Sequence, residues 1–333
     1  MKILVTGSAG FIGFHLCRRL LREGHQLAGV DAMVPYYDPR LKEKRHSLLI
    51  ETNRFRPHIV DISDMAAIRG VIEAEAPEIV IHLAAQPGVR YGLQHPEGYV
   101  SANVTGSFNL LEICRQRPVQ HFLMASTSSV YGANGKMPFQ ETDPTDTPLS
   151  IYAATKRSAE AIAHSYAHLW NQPITVFRFF TVYGPWGRPD MAFFKFTAAI
   201  LRGEPIDVHN HGRMERDFTY IDDLIEAIVR LITQRPVRGE PVNDRDSLSP
   251  AAPYRVVNIG NGAPVNLMDF IAAIEAAVGK PAKRNYIDMQ PGESLKTWAS
   301  PDLLEALTGF RPNFPIAEGI REFVAWYREY YGI

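Results

Sequence analysis

Hydrophobic positions along the 333-residue chain fall into short β-branched runs separated by longer stretches of helical spacing. Residues Lys2 to Val5 form the first run, closed by Thr6-Gly7, and FHLCRRLLREG then repeats apolar residues at the helical period. A second run, Gln26 to Val30, ends at Asp31, so the chain opens as strand, turn, helix, strand, with Gly24 marking the helix end. Further buried strands are predicted at 58–62 (HIVDI), 78–85 (EIVIHLAA), 121–126 (HFLMAS) and 174–179 (ITVFRF), with helix-like segments between them. Strands alternating with helices predict an α/β fold: a Rossmann-type, doubly wound parallel sheet covered on both faces.

After Pro185 the texture changes. A helical FFKFTAAILRG, short polar strands, a helix near Ile221 to Thr233 and a Pro/Asp/Ser-rich loop, EPVNDRDSLSPAAP, lead to a strand at RVVNIG. Helices at NLMDFIAAIEAAVG and IAEGIREFVAWYREYY close a smaller, mixed α/β C-terminal part. The pattern divides the chain into a first domain over 1–182, with segments near 217–260 packing back on it, and a second, smaller domain over 183–333. No internal repeat is visible.

Composition narrows the class. Apolar residues make up 46% and charged residues 21%, the balance of a soluble globular protein. A formal net charge of −1 supplies no summed basic field for nucleic acid. No run of apolar residues is long enough for a membrane span, and a strand starting at Lys2 leaves no room for a signal peptide, so the expected location is the cytoplasm. Cys17 and Cys114 sit inside helical patterns and read as reduced, buried thiols. His164 with His168 and His209 with His211 lack acidic or thiolate companions at ligand spacing, so no metal is expected.

Chemistry concentrates first in TGSAGFIG, whose Gly7, Gly10 and Gly13 follow a strand and open a helix. Glycine lets the backbone turn tightly against a pyrophosphate, while the helix N-terminus offers free N–H groups to its charge. Asp31 stands about 20 residues on, where a carboxylate binds ribose hydroxyls and repels a 2′-phosphate, which favours NAD over NADP. Asp61 is either an adenine contact or a turn residue.

The second concentration is Tyr152-Ala-Ala-Thr-Lys156, four residues apart on a helix. An ammonium beside a phenol lowers its pKa toward the working pH and makes it a base for an alcohol proton while hydride leaves the same carbon. Upstream, Thr127-Ser128-Ser129 lies at the C-terminal end of a parallel strand, where open α/β sheets bind ligands. The absence of GxSxG and GxxxxGK[ST] counts against α/β-hydrolase and P-loop chemistry.

These motifs, with HLAAQ, NVTGSFNLLE, RFFTVYGPWGRPDMA, RDFTYIDD and QPGES, resemble the extended short-chain dehydrogenase/reductase family, specifically its nucleotide-sugar epimerases. DAMVPYYDPRLKEKR and TVYGPWGRPDMA are most similar to UDP-glucuronate 4-epimerases. The resemblance implies that Tyr152 takes the C4 hydroxyl proton, that tightly held NAD takes and returns the C4 hydride, and that Thr127 orients the sugar. It implies cofactor contacts at Gly7, Gly10, Phe11, Ile12, Gly13, Asp31, Asp61, Ile62, Leu83, Ala84, Ala85, Tyr152, Lys156 and Tyr183. For the UDP-sugar it implies Thr127, Ser128, Ser129, Tyr152, Thr181, Arg188, Arg216, Gln290 and Glu293.

Specificity rests on few residues. No acid follows Thr127, unlike in 4,6-dehydratases and decarboxylases, and Thr181 replaces the asparagine usual in glucose/galactose epimerases. Ser128, Thr181 and Arg188 match positions around a uronate carboxylate, where a planar guanidinium suits the anion; the alternative for Arg188 is a solvated loop arginine. Arg216 resembles the arginine that grips the diphosphate. Related hexose epimerases carry arginine at the position of Gln290, and the family's usual aspartate after TWA is Ser300. Phe194 and Phe196 either flank uracil or belong to the core. The implied assembly is a homodimer through helices near 101–116 and 153–170. The rival functions are a neutral UDP-hexose or UDP-N-acetylhexosamine 4-epimerase, a UDP-glucuronate decarboxylase and a non-catalytic NAD-binding protein.

Overall fold

A computed structural model describes residues 1–289 and 294–333. The first half runs β1 (Lys2–Thr6), α1 (Phe11–Arg22), β2 (Gln26–Asp31), α2 (Pro39–Ile50), β3 (Phe55–Ile59), α3 (Met65–Glu75) and β4 (Ile79–His82). It continues through α4 (Pro96–Tyr99), α5 (Gly106–Gln116), β5 (His121–Thr127), α6 (Ile151–Trp170) and β6 (Ile174–Phe179). Beyond these lie β7 (Thr181–Tyr183), α7 (Ala192–Arg202), β8 (Pro205–His209), β9 (Glu215–Tyr220), α8 (Ile221–Ile232) and β10 (Tyr254–Ile259). The chain ends with β11 (Pro264–Asn266), α9 (Leu267–Val278), β12 (Lys283–Ile287), β13 (Lys296–Thr297), α10 (Asp302–Thr308) and α11 (Ile316–Tyr331).

Seven parallel strands form the main sheet in the order β10-β6-β5-β4-β1-β2-β3. Six of the seven are continuously apolar or buried because helices cover both faces, which is why the sequence shows unbroken hydrophobic runs there. Chain order reverses between β1 and β4. This switch point is where a doubly wound sheet opens a ligand crevice at its carboxyl edge. Smaller units flank it: β9 joins β7, β11 and β13, and β8 pairs with β12. β10 closes the main sheet against β6, and α8 packs beside α1.

One strand differs from expectation. The predicted strand at 58–62 is observed three residues earlier, pairing Leu27 with Phe55 and Asp31 with Ile59. It is an exposed edge strand carrying Pro57, so its first residues lack the apolar signature of a buried strand. Asp61 ends the extended backbone by accepting the Ser63 N–H and hydroxyl, each at 2.8 Å, and Asp64 then caps α3.

Between α4 and α5, residues 100–105 wind as a π-helix. The wider turn places Asn103 inside, where its side chain bonds both backbone groups of Gln86 and the Thr155 hydroxyl at 2.8–3.1 Å. A strand-end loop is thereby tied to α6. Among the described residues no helix is long and apolar enough to cross a membrane.

Candidate active site

The glycine turn is built as the sequence implies. Gly7 has φ +74°, and a Cβ there would lie 2.8 Å from the Ala84 nitrogen; a Cβ on Gly13 would lie 2.0 Å from the Gly7 carbonyl oxygen. α1 starts at Gly10 with no side-chain cap, so its first N–H groups remain available to an anion. Asp31 is fixed at the end of β2 by the Ala9 and Met33 N–H groups at 3.1 and 2.9 Å, with the Lys42 ammonium 3.6 Å away. These groups fit a dinucleotide: a cradle that any Cβ would fill, an uncapped helix end and an oriented carboxylate.

One cleft connects this turn with the second motif. Gly7, Gly10, Phe11, Ile12, Gly13, Asp31, Asp61, Ile62, Leu83, Ala84 and Ala85 line it, and so do Thr127, Tyr152, Lys156 and Arg188. Sequence reasoning missed several of its walls. Tyr36, Tyr37 and Lys42 come from the turn and helix after β2, Gln86 and Pro87 from the loop after β4, and Met191 from the segment before α7. Tyr37 and Lys42 lie within DAMVPYYDPRLKEKR, a signal of likeness that carries no periodic or motif chemistry of its own.

α6 begins at Ser150, whose hydroxyl accepts the Ala153 N–H at 3.1 Å and sets the helix phase. One turn then separates Tyr152 from Lys156, and Thr127 at the end of β5 lines the same cleft as the Tyr152 phenol. Thr127 also accepts the Ser129 N–H at 3.1 Å. Tyr99 packs edge-on to Tyr152, with centroids 6.2 Å apart, and donates to the Pro87 carbonyl.

The electrostatics depart from the simple lysine-phenol expectation. Burial raises the Tyr152 pKa above its ordinary value, and the groups opposing that rise are the Arg188 charge and the Thr127 hydrogen bond. Burial brings Lys156 down to about 8, opposed by the Glu160 carboxylate one turn further along α6. Lys156 in turn joins burial in holding His82 down to about 3. Neutral His82 lies between the Thr6 and Ser107 hydroxyls at 2.7 and 3.0 Å.

Other expected residues fall outside the cleft lining. Tyr183 corrects the sequence expectation: strand alternation on β7 turns Val182 toward the cleft and Tyr183 into an aromatic core with Phe193, Phe218 and Tyr220. Ser128, Ser129 and Thr181 are half-buried beside the lining rather than in it. Arg216 on β9 donates to the Leu295 carbonyl at 3.1 Å and also to that of Ser294; Gln290 and Glu293 lie outside the described residues. Phe194 and Phe196 are core: Phe194 packs on Phe323 and Tyr327. His164 and His168 bond Ser249 and the Ala251 carbonyl, and so anchor the 240–253 loop.

Comparison with known proteins agrees with this arrangement. The profile of the NAD dependent epimerase/dehydratase family matches residues 3–244. A probable UDP-glucuronate 4-epimerase of Rhizobium meliloti is 55% identical over 334 residues, 99% of this chain and 98% of that protein. UDP-glucuronate 4-epimerase 1 of Arabidopsis thaliana is 42% identical over 340 residues, 100% of this chain and 78% of the plant protein. UDP-glucuronic acid 4-epimerase of Bacillus cereus, solved in complex with UDP-glucuronic acid and NAD, is similar at a TM-score of 0.88 and 33% identity, covering 99% of this chain and 100% of that one. With its glycine turn, Tyr152, Lys156 and Thr127 in one cleft at the sheet's switch point, this chain belongs to the NAD dependent epimerase/dehydratase family.

Proposed function

We propose that the protein interconverts UDP-glucuronate and UDP-galacturonate by NAD-dependent epimerisation at C4. The observation that carries this reading is the presence of a cation, Arg188, in the same cleft wall as Thr127, Tyr152 and Lys156. A uronate brings its carboxylate close to C4, and a guanidinium is the side chain best shaped to receive it. The 55% identical relative bears the same activity in its name.

The residues divide the work. Thr127 orients the C4 oxygen, and Tyr152 takes its proton and gives it back after the keto sugar has turned over. Lys156 sustains the proton transfer through its charge, and the glycine turn with Asp31 holds the dinucleotide beside the sugar. Bound NAD supplies the hydride acceptor and donor, so no net redox change results. Tyr152 contributes on the order of 10²–10⁴-fold as an acid-base group.

In this reading residues 1–182, together with 217–260, hold the cofactor, and 183–333 mainly hold the UDP-sugar, including Arg216, Gln290 and Glu293. The exposed apolar side chains of Phe108 on α5 and of Leu169 and Trp170 on α6 support a homodimer through these helices. The chain works in the cytoplasm.

Proton NMR of the purified protein with UDP-glucuronate and UDP-glucose together, without added NAD, tests the proposal. Appearance of UDP-galacturonate alone is expected. UDP-galactose alone would assign a neutral-hexose epimerase, and UDP-xylose with CO2 a decarboxylase. A spectrum unchanged even after NAD is added would leave only dinucleotide binding.

A further inference from the structure

Arg188 enters the cleft already gripped along one edge. Its Nε and Nη2 donate to the two oxygens of Asp190 at 3.0 and 2.5 Å, a planar two-point pairing. Asp190 is itself steadied, because the Tyr36 hydroxyl donates to its Oδ2 at 3.2 Å. Gly88 makes room for that hydroxyl: it has φ +92°, and a Cβ there would come within 2.4 Å of the Tyr36 oxygen. Against the cost of burial, Arg188 keeps Asp190 below its ordinary pKa, so the pair stays charged.

A guanidinium has two edges able to make a two-point contact, and Asp190 occupies the one built from Nε. The edge carrying Nη1 is the one left for a ligand in the cleft. We propose that Asp190, held by Tyr36, is the positioning residue that presents the Nη1 edge of Arg188 in a single orientation and so sets selectivity for a sugar bearing a carboxylate at C5. The inference rests on the uronate reading above.

The orientation has a chemical consequence. A 4-keto uronate is a β-keto acid. It loses CO2 when the C5–C6 bond lines up with the carbonyl π system: that bond breaks, its electron pair passes to the C4 oxygen as an enolate, and C5 then takes a proton. A carboxylate held on one fixed edge keeps C5–C6 out of that alignment. With Asp190 neutralised, the guanidinium turns and either edge meets the ligand.

The test measures calorimetric affinities for UDP-glucuronate and UDP-glucose in the NAD-loaded protein, with product analysis by NMR, for Asp190→Asn, Asp190→Glu, Tyr36→Phe and Arg188→Ala. Asp190→Asn is expected to cut the preference for UDP-glucuronate about tenfold and Tyr36→Phe about threefold, with UDP-glucose affinity within about twofold of the parent. Asp190→Glu restores part of the preference, and CO2 with a UDP-pentose product appears in Asp190→Asn. Equal losses for both sugars, or tighter UDP-glucuronate binding in Asp190→Asn, would overturn the proposal; if Asp190→Asn does not fold, Tyr36→Phe decides on the same criteria. Arg188→Ala separates the two levels. If it leaves the preference intact, Arg188 does not receive the carboxylate and the proposal fails, whereas a parent without any preference for UDP-glucuronate would sink the uronate reading itself; if Arg188→Ala abolishes a preference that Asp190→Asn and Tyr36→Phe both keep, only the positioning role fails.

Discussion

Glu160 and Arg178 form a buried ion pair at 2.8 Å, and Glu160 stands one helical turn beyond Lys156 on α6. Arg178 also donates through Nε to Glu160 at 3.1 Å and through Nη1 to the Glu141 carbonyl at 3.0 Å, while its guanidinium lies over the Tyr131 ring. The floor beneath the catalytic helix is therefore a charged network, and its carboxylate acts on the catalytic lysine.

Glu160→Gln removes the charge while nearly preserving the volume. Breaking a buried pair leaves Arg178 uncompensated, at a cost of about 3–5 kcal/mol. Thermal and urea unfolding should show that loss. Because Glu160 opposes the lowering of the Lys156 pKa, the variant's turnover should also fail at a lower alkaline pH than the parent's. An unchanged alkaline limb would confine Glu160 to a structural role.

Lys156 is only 2% exposed, and burial holds it at about 8 against an ordinary 10.5. Between those values the unfolded chain binds more protons than the folded one, so stability rises with pH across that window and the full cost of the buried charge is present below pH 8. The cost is on the order of 3 kcal/mol at about 1.36 kcal/mol per pH unit. Lys156→Met should therefore be more stable than the parent at pH 7 and lose the rise that Lys156 contributes across the window, yet lose most turnover. Denaturant titrations at several pH values, paired with epimerase assays, check both halves; a variant less stable at pH 7 would contradict the first.

The fold was legible because the parallel strands other than β3 are covered on both faces and write themselves as apolar runs, and because the glycine turn carries steric demands at Gly7 and Gly13 that other residues cannot meet. The edge strand β3 blurred because one side meets water. Tyr183 misled since a two-residue shift in sequence leaves a strand side chain on the same face but a one-residue shift reverses it, and likeness alone does not fix that phase. The pairing of Arg188 with Asp190 and Tyr36 was invisible for a different reason. Tyr36 lies 154 positions from Asp190 and meets it only through the folded cleft. Asn103 was hidden inside NVTGSFNLLE because its role depends on the π-helical turn that rotates it inward.

Glu141 carries a pH signature outside the cleft. Burial pushes its carboxyl up to about 7, while the Asn258 N–H, donating to it at 2.9 Å, and the nearby Arg178 charge pull the other way. Here the folded state holds the proton more tightly than the unfolded chain. The favourable contribution is complete below about 4.5 and is lost as pH rises toward 7. Glu141→Gln keeps an acceptor for the Asn258 N–H and removes the titration, so it should raise stability at pH 8 and flatten the slope between pH 4.5 and 7. The gain is on the order of 3 kcal/mol by the same conversion. The readout is unfolding free energy against pH for the two proteins, with a parallel pair of curves as the result that would remove Glu141 from the account.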